Sequence, residues 1–227
     1  MIYSIEGNVG SGKSTLVAEL EKRLKIENVK ILFLPEPVDL WTQIVDPISQ
    51  KNILELYYND QKTYSFSFQM LAYITRLNLI TQMVEENPDA IIITERSVYG
   101  DRAIFAKMLF DSGKMKPVEY QIYNMCLEYF EQKLGSHTFI YLNTPAQVCQ
   151  ERVIKRSRKG EKLPTNFLVD CDKYHNEWME KEYDLRGGHK FVLEYTLDQE
   201  QMINAIKDVI TLPKCSPHSS VHYTNYV

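Results

Sequence analysis

Nine consecutive residues, Gly7-Asn8-Val9-Gly10-Ser11-Gly12-Lys13-Ser14-Thr15, fit the pattern G-x-x-x-x-G-K-[ST]. Three of the chain's nine glycines fall in this stretch. Glycines let a backbone wrap a phosphate closely, so that amide N–H groups and a helix N-terminus face the anion. Lys13 then supplies a point charge for the β and γ phosphates, and Ser14 an oxygen for Mg²⁺. Two acids stand at the ends of later apolar runs: Glu36, bracketed by Pro35 and Pro37, and Glu95, inside Thr94-Glu95-Arg96-Ser97. Acids at the carboxyl edge of a sheet lie in the ligand crevice of an open α/β fold. A kinase acting on a small hydroxyl needs such a pair, one acid to accept the proton and one near the metal. Further on, Arg152, Lys155, Arg156, Arg158, Lys159 and Lys162 form a basic run with a single acid, Glu161, among them. An arginine-bearing lid that closes over a triphosphate neutralises charge on the moving phosphoryl group and excludes water.

The elements needed to position these groups follow from hydropathy. Five short apolar runs, Ile2–Glu6, Val29–Leu34, Ala90–Thr94, Thr138–Leu142 and Lys190–Glu194, are continuous and not alternating. Such runs suit strands covered on both faces. Helical patterns lie between them. Leu16, Leu20 and Leu24 share a face after the first run. A long pattern covers 52–86, with a break near Asn59-Asp60 and with Leu71, Ile74, Leu77 and Met83 toward the core. Others cover 120–134, 172–183 and 199–210. Asn87-Pro88 closes the long pattern, because a residue before proline resists helix. Strands alternating with helices predict an α/β fold with a five-stranded parallel sheet flanked by helices and right-handed crossovers. Residues 1–212 form one domain in this reading, with a lid at about 152–165 and a mobile tail over 213–227.

In combination these segments resemble the deoxynucleoside kinase family, which includes deoxycytidine and deoxyguanosine kinases. The resemblance rests on Gly7–Thr15, Pro35-Glu36-Pro37-Val38, Tyr64-Ser65-Phe66-Ser67-Phe68-Gln69, Glu95-Arg96-Ser97-Val98-Tyr99-Gly100-Asp101-Arg102 and Arg156-Ser157-Arg158-Lys159-Gly160-Glu161, and spans about residues 1–210. It implies a P-loop kinase fold, ATP as phosphate donor, Mg²⁺, a deoxynucleoside substrate and a homodimer built through the long helices. It also implies roles. Glu36 takes the 5′-hydroxyl proton, Arg96 steadies the 5′-oxygen and the phosphates, and Glu95 supports the metal with Ser14. Gln69 pairs with the base edge, between Phe68 and Phe105. Trp41 and Leu54 wall the pocket, and Tyr58 and Glu161 hold the 3′-hydroxyl. Arg152, Arg156 and Arg158 belong to the lid. Arg76 and Asp101 match the family's deoxycytidine/deoxyguanosine-type pair, which offers hydrogen bonds to polar base substituents and crowds a thymine methyl. Gly100 departs from the family pattern, where serine is common.

Composition narrows the alternatives. With 26 Lys+Arg against 30 Asp+Glu, the net charge is −4 and the pI about 5.8. Bulk electrostatic attraction to nucleic acid or to an anionic membrane is therefore excluded. No run approaches the ~18 apolar residues of a membrane span. Met1 is followed directly by a strand pattern, so no leader is expected, and Cys126, Cys149, Cys171 and Cys215 show no metal spacing. Reduced thiols suit the cytoplasm. Two other readings stay open: a nucleoside-monophosphate kinase of the thymidylate type, and a P-loop nucleotide-binding protein without catalysis. Glu36 counts against the first, since it would repel a substrate phosphate.

Overall fold

The computed structural model describes residues 1–131, 134–135, 137–157, 163–181, 189–211 and 220–223. Its centre is a parallel sheet of six strands, β1 Ile2–Glu6, β2 Ile31–Leu34, β3 Ile91–Glu95, β4 His137–Asn143, β5 His189–Glu194 and β6 Ser220–Tyr223. Their spatial order is β2-β3-β1-β4-β5-β6, and every pairing is parallel. The five apolar runs become β1–β5. The sixth strand comes from the segment expected to be a mobile tail: Lys190–Leu193 of β5 pair with Ser220–Tyr223. A parallel edge with unpaired backbone groups recruits a further strand when chain is within reach, which no hydropathy count over 213–227 signals.

Strand β1 is the central one, and all five of its residues are buried. Its side chains alternate between two cores, as a period of two requires. Tyr3 and Ile5 join Leu16, Leu20, Ile93, Ile140 and Ile206 on one face. Ile2 joins Tyr73, Leu77, Ile92, Phe139 and Trp178 on the other.

The helices are α1 Lys13–Arg23, α2 Val38–Thr42, α3 Ile53–Asn59, α4 Gln61–Glu86, α5 Val98–Gly100, α6 Lys107–Asp111, α7 Pro117–Glu131, α8 Ala146–Arg156, α9 Thr165–Lys181 and α10 Gln199–Thr211. A π-helical turn, Asp101–Ala106, joins α5 to α6. The expected break in the long pattern is Asp60. It ends α3 and caps α4 by accepting from the Thr63 N–H at 3.2 Å. Asn52 and Glu55 form a reciprocal capping box, each bond 3.0 Å, that starts α3. At 26 residues, α4 is about 39 Å long by its rise per residue. Leu77 faces the core as expected, but Ile74 is 44% exposed. The i, i+4, i+8 stripe of α4 that does face inward is Phe68, Ala72 and Arg76, with Gln69 beside it.

Candidate active site

The carboxyl ends of β1, β2 and β3 open into a cavity of about 500 Å³, the size of a small-molecule site. Its floor is the loop between β1 and α1. Gly7, Gly10 and Gly12 have φ of +148°, +83° and +108°, a region that favours glycine. At Gly10 a Cβ would stand 2.5 Å from the Cys149 carbonyl oxygen, so α8 presses against the loop there. Asn8 pins the loop from inside. Its amide donates to the Leu168 carbonyl at 2.8 Å, and its Oδ1 accepts from the Val9 N–H at 2.8 Å. Lys13 Nζ donates to the Asn8 carbonyl at 2.7 Å. Burial, with Arg96 adding repulsion, pulls the Lys13 ammonium down to about 8. Arg152 reaches from α8 to the Ser11 carbonyl at 2.7 Å.

Beside this loop, Ser14 Oγ donates to Glu95 Oε1 at 2.7 Å. The Glu36 N–H reaches the other Glu95 oxygen at 3.5 Å. Glu36 Oε1 in turn lies 3.0 Å from Arg76 Nη2 and 3.5 Å from Arg96 Nε. Arg76 also pairs with Asp101. Burial opposes the charge on Arg76, but Asp101, Glu36 and Glu6 outweigh it and raise its affinity for the proton. Arg96 has φ +66° and lays its guanidinium 4.6 Å from the Phe105 ring centroid. An arginine in the left-handed region costs about 1–3 kcal/mol and persists only where its surroundings dictate it.

The far wall is aromatic. Trp41 meets Phe68 edge-on at 5.4 Å, Tyr57 packs on Phe68 at 4.6 Å, and Trp41 Nε1 donates to Thr75 Oγ1 at 2.9 Å. Leu54, Tyr58, Gln69 and Phe105 complete the lining.

The structure thus brings most of the expected site residues to one cavity. Val9, Gly10, Gly12, Lys13, Ser14 and Thr15 line it from the loop. Arg152 and Arg156 line it from the last turns of α8. Gly7, Asn8 and Ser11 build the loop from behind, the last two only 1% exposed. Of the Arg76–Asp101 pair, Asp101 reaches the cavity wall, whereas Arg76 is 1% exposed and stands behind it. Arg158 and Glu161 lie outside the described residues. Sequence reasoning missed Tyr57, Ala72 and Phe167 as lining residues. It also missed Glu6, a fully buried carboxyl at the end of β1. The period of two along β1 points Glu6 away from Tyr3 and Ile5. An acid ending a central strand is the signal that could have found it.

The donor set suits a phosphate chain and a hard cation. At Gly7 and Gly10 the cradle leaves no room for a Cβ, and Lys13, Arg152, Lys155 and Arg156 face the same cavity. Ser14 and Glu95 put two hard oxygens in contact. Among the described residues no cluster of three or more His, Cys, Asp or Glu could hold a metal alone. A cation here would therefore take most of its ligands from phosphate and water.

A sequence model of deoxynucleoside kinases matches residues 3–211. Deoxycytidine kinase 2 of Gallus gallus is 32% identical, over 92% of this chain and 89% of its own. The mitochondrial deoxyguanosine kinase of Xenopus laevis is 30% identical, over 78% and 72% of the two chains, and the deoxycytidine kinase of Homo sapiens 31%, over 78% and 74%. The match runs from β1 through α10 and so takes in every strand end and helix that frames the cavity; the chain belongs to the deoxynucleoside kinase family.

Proposed function

We propose that this deoxynucleoside kinase moves the γ-phosphoryl group of ATP to the 5′-hydroxyl of a 2′-deoxyribonucleoside, with deoxycytidine and the purine deoxynucleosides ahead of thymidine. One observation carries the reading. The Glu36 carboxylate lies between Arg76 and Arg96 at 3.0 and 3.5 Å, on the same cavity as Lys13 and the glycine cradle. A carboxylate so held accepts the proton of the 5′-hydroxyl as that oxygen bonds to the γ-phosphorus, while the bond to the β-phosphate oxygen breaks and ADP leaves. Lys13, Arg96, Arg152 and Arg156 counter the charge on the transferring group. Arg158 joins them in the lid. Ser14 and Glu95 would hold Mg²⁺, which when bound would supply charge stabilisation at the β and γ phosphates.

Phe68 and Phe105 sandwich the base and Gln69 pairs with its edge, while Trp41 and Leu54 close the wall. Tyr58 and Glu161 take the 3′-hydroxyl. Two tyrosines, Tyr57 and Tyr58, on that side of the cavity leave little room for a 2′-hydroxyl. Asp101, backed by Arg76, faces the base substituents. A thymine methyl there leaves a buried polar group unpaired, at about 1–3 kcal/mol, or roughly tenfold to a hundredfold in kcat/KM. The enzyme works as a homodimer in the cytoplasm. Exposed Ile74 on α4 and Val118, Ile122, Met125 and Tyr129 on α7 supply an apolar face for the dimer. Cys126, Cys149 and Cys171 are free thiols, as a reducing compartment keeps them.

The test is a radiometric panel with MgATP and six acceptors: the four deoxynucleosides, dCMP and dTMP. Deoxycytidine or a purine deoxynucleoside should lead thymidine by about tenfold or more, with neither monophosphate phosphorylated. Preference for thymidine would overturn the selectivity. Preference for a monophosphate would overturn the acceptor assignment.

A further inference from the structure

Glu6 belongs to no part of the reaction described so far, yet it is 0% exposed and its carboxyl is one residue from the phosphate-binding loop. Burial pushes its proton affinity up, while Arg96 and Ser97 pull it back. Glu6 Oε1 accepts two hydrogen bonds from one residue, the Ser97 N–H at 2.8 Å and the Ser97 hydroxyl at 2.6 Å. Ser97 Oγ in turn accepts from the Gly100 N–H at 3.0 Å and so caps α5. Glu6 therefore fixes the residue that directly follows Arg96.

Arg96 needs fixing, because its φ of +66° is a conformation that arginine adopts only under constraint. Three residues supply the constraint. The Arg96 N–H donates to the Ile5 carbonyl at 3.0 Å, and Thr94 Oγ1 donates to the Arg96 carbonyl at 2.8 Å. Glu6 is the third, from beyond the turn. The left-handed turn brings the Arg96 side chain back over Phe105, with Nε 3.5 Å from Glu36. The second Glu6 oxygen has no hydrogen-bond partner among the described residues, and it lies where a Cβ on Gly100 would stand 2.7 Å away. Gly100 has φ −62°, open to any residue, so what glycine provides at that position is room for this carboxyl.

We propose that Glu6 is a positioning residue for phosphoryl transfer, acting through the Arg96–Ser97 turn to hold the Arg96 guanidinium beside Glu36. The proposal rests on the reading that Arg96 acts on the transferring group. Glu6 touches no substrate. Its loss lets the turn relax toward an ordinary conformation and swings Arg96 off the site, and misplacement by about 1 Å can cost a hundredfold in rate.

The experiment is a double-mutant cycle on kcat, with KM for the nucleoside and thermal midpoint recorded for each variant. Glu6→Ala should lower kcat about tenfold to a hundredfold and leave the nucleoside KM within about threefold, because Arg96 meets charge that develops only in transfer. Glu6→Gln keeps an oxygen acceptor for both Ser97 donors and should restore kcat to within about threefold of the parent. In an Arg96→Ala background, Glu6→Ala should change kcat by less than about threefold, since the group it positions is gone. Should Glu6→Ala not fold, Glu6→Asp takes its place. It keeps a buried carboxyl but is one methylene too short for Ser97, and the same losses are expected. An Arg96→Ala enzyme with kcat near the parent's overturns the assignment of Arg96 and this proposal with it. An Arg96→Ala enzyme that loses turnover, but in which the Glu6 change adds its full loss again, overturns the proposal alone. So does a Glu6→Gln enzyme as slow as Glu6→Ala.

Discussion

The pair Arg76–Asp101 is not symmetric, and the asymmetry sets the order of its variants. Arg76 answers Asp101 and Glu36 directly and also faces Glu6, all at the buried end of the cavity. Arg76→Met leaves Asp101, 4% exposed, and Glu6, 0% exposed, with Arg96 as their remaining neighbouring cation. Removing one partner of a buried pair costs about 3–5 kcal/mol. For a chain of this size each kcal/mol is worth roughly 2–4 °C in Tm, so Arg76→Met should lose about 6–20 °C. Asp101→Ala leaves Arg76 still paired with Glu36 at 3.0 Å and should lose less than half of that shift. Arg76→Met with Asp101→Ala removes both charges together and should fall between the two. Turnover follows a different order. Arg76 also pairs with Glu36, the proposed base, so both variants that lack it should lose kcat with every nucleoside. Thymidine should nevertheless gain on deoxycytidine in kcat/KM in the double variant, because the unpaired charge facing the methyl is gone. Calorimetry or a dye-based melt gives the first order, and a competition assay with deoxycytidine and thymidine gives the second. An Arg76→Met protein more stable than Asp101→Ala would refute the reasoning, as would a double variant whose thymidine to deoxycytidine ratio is unchanged.

Four further outcomes are expected. Glu36→Gln should fold normally and lose kcat by about 10²–10⁴-fold, the usual worth of a positioned base; steady-state turnover near the parent's removes Glu36 from that role. Lys13 is charged below about 8 and loses its charge as pH rises through that value, so kcat/KM for ATP should fall about tenfold per pH unit above 8; a profile flat to pH 9.5 contradicts this. Gly10→Ala forces a left-handed alanine against the Cys149 carbonyl and should abolish the thermal shift given by ATP, whereas an unchanged shift means the loop has another way to close. His137 is held near 3 by burial, with the N-terminus adding repulsion, against 6.5 in the unfolded chain. Because the folded value is the lower one, its contribution is complete above about 6.5 and is lost as pH falls toward 3, about 2 kcal/mol by pH 5; His137→Leu should therefore show a smaller drop in Tm between pH 7 and pH 5 than the parent.

Much of this site was legible because its chemistry is local in sequence. The glycine cradle, Lys13 and Ser14 sit in one loop, and Glu36 and Glu95 each end an apolar run that becomes a strand. The inward stripe of α4, Phe68, Gln69, Ala72 and Arg76, follows from helical spacing once Gln69 is placed at the site. What stayed hidden is set by contacts across the sheet. Nothing in a count along the chain says that Glu6 meets Ser97 from 91 residues away. Nor does it say that Arg96 turns left-handed, or that Arg76 pairs with two acids and stands behind the cavity wall that Asp101 lines. Ile74 was assigned to the core on periodicity alone, yet the apolar stripe of α4 is wider than the face the core can cover. The π-helical turn at Asp101–Ala106 and the pairing of β6 have no composition signal at all.

Charge divides the cavity, and the division explains the choice of acceptor. At the loop end, Lys13, Arg152, Lys155 and Arg156 face the cavity beside the glycine cradle. At the aromatic end, Glu36 and Asp101 line the wall, with Glu6 buried behind them, and Arg76 and Arg96 are already engaged with these acids. On the proposed reading, a phosphate on the acceptor would have to enter beside the carboxylates of Glu36 and Asp101, at a cost that a neutral nucleoside does not meet. On the proposed reading, a neutral acceptor instead brings a hydroxyl to Glu36 and a polar base edge to Asp101. The same arrangement holds the Glu36 carboxylate on the cavity wall between two arginines. Neutralising Asp101 alone should therefore not open the site to monophosphates, because Glu36 still guards the position the phosphate would take. Asp101→Asn assayed with dCMP tests this: measurable phosphorylation of dCMP would mean that the Asp101 charge, and not Glu36, excludes the monophosphate.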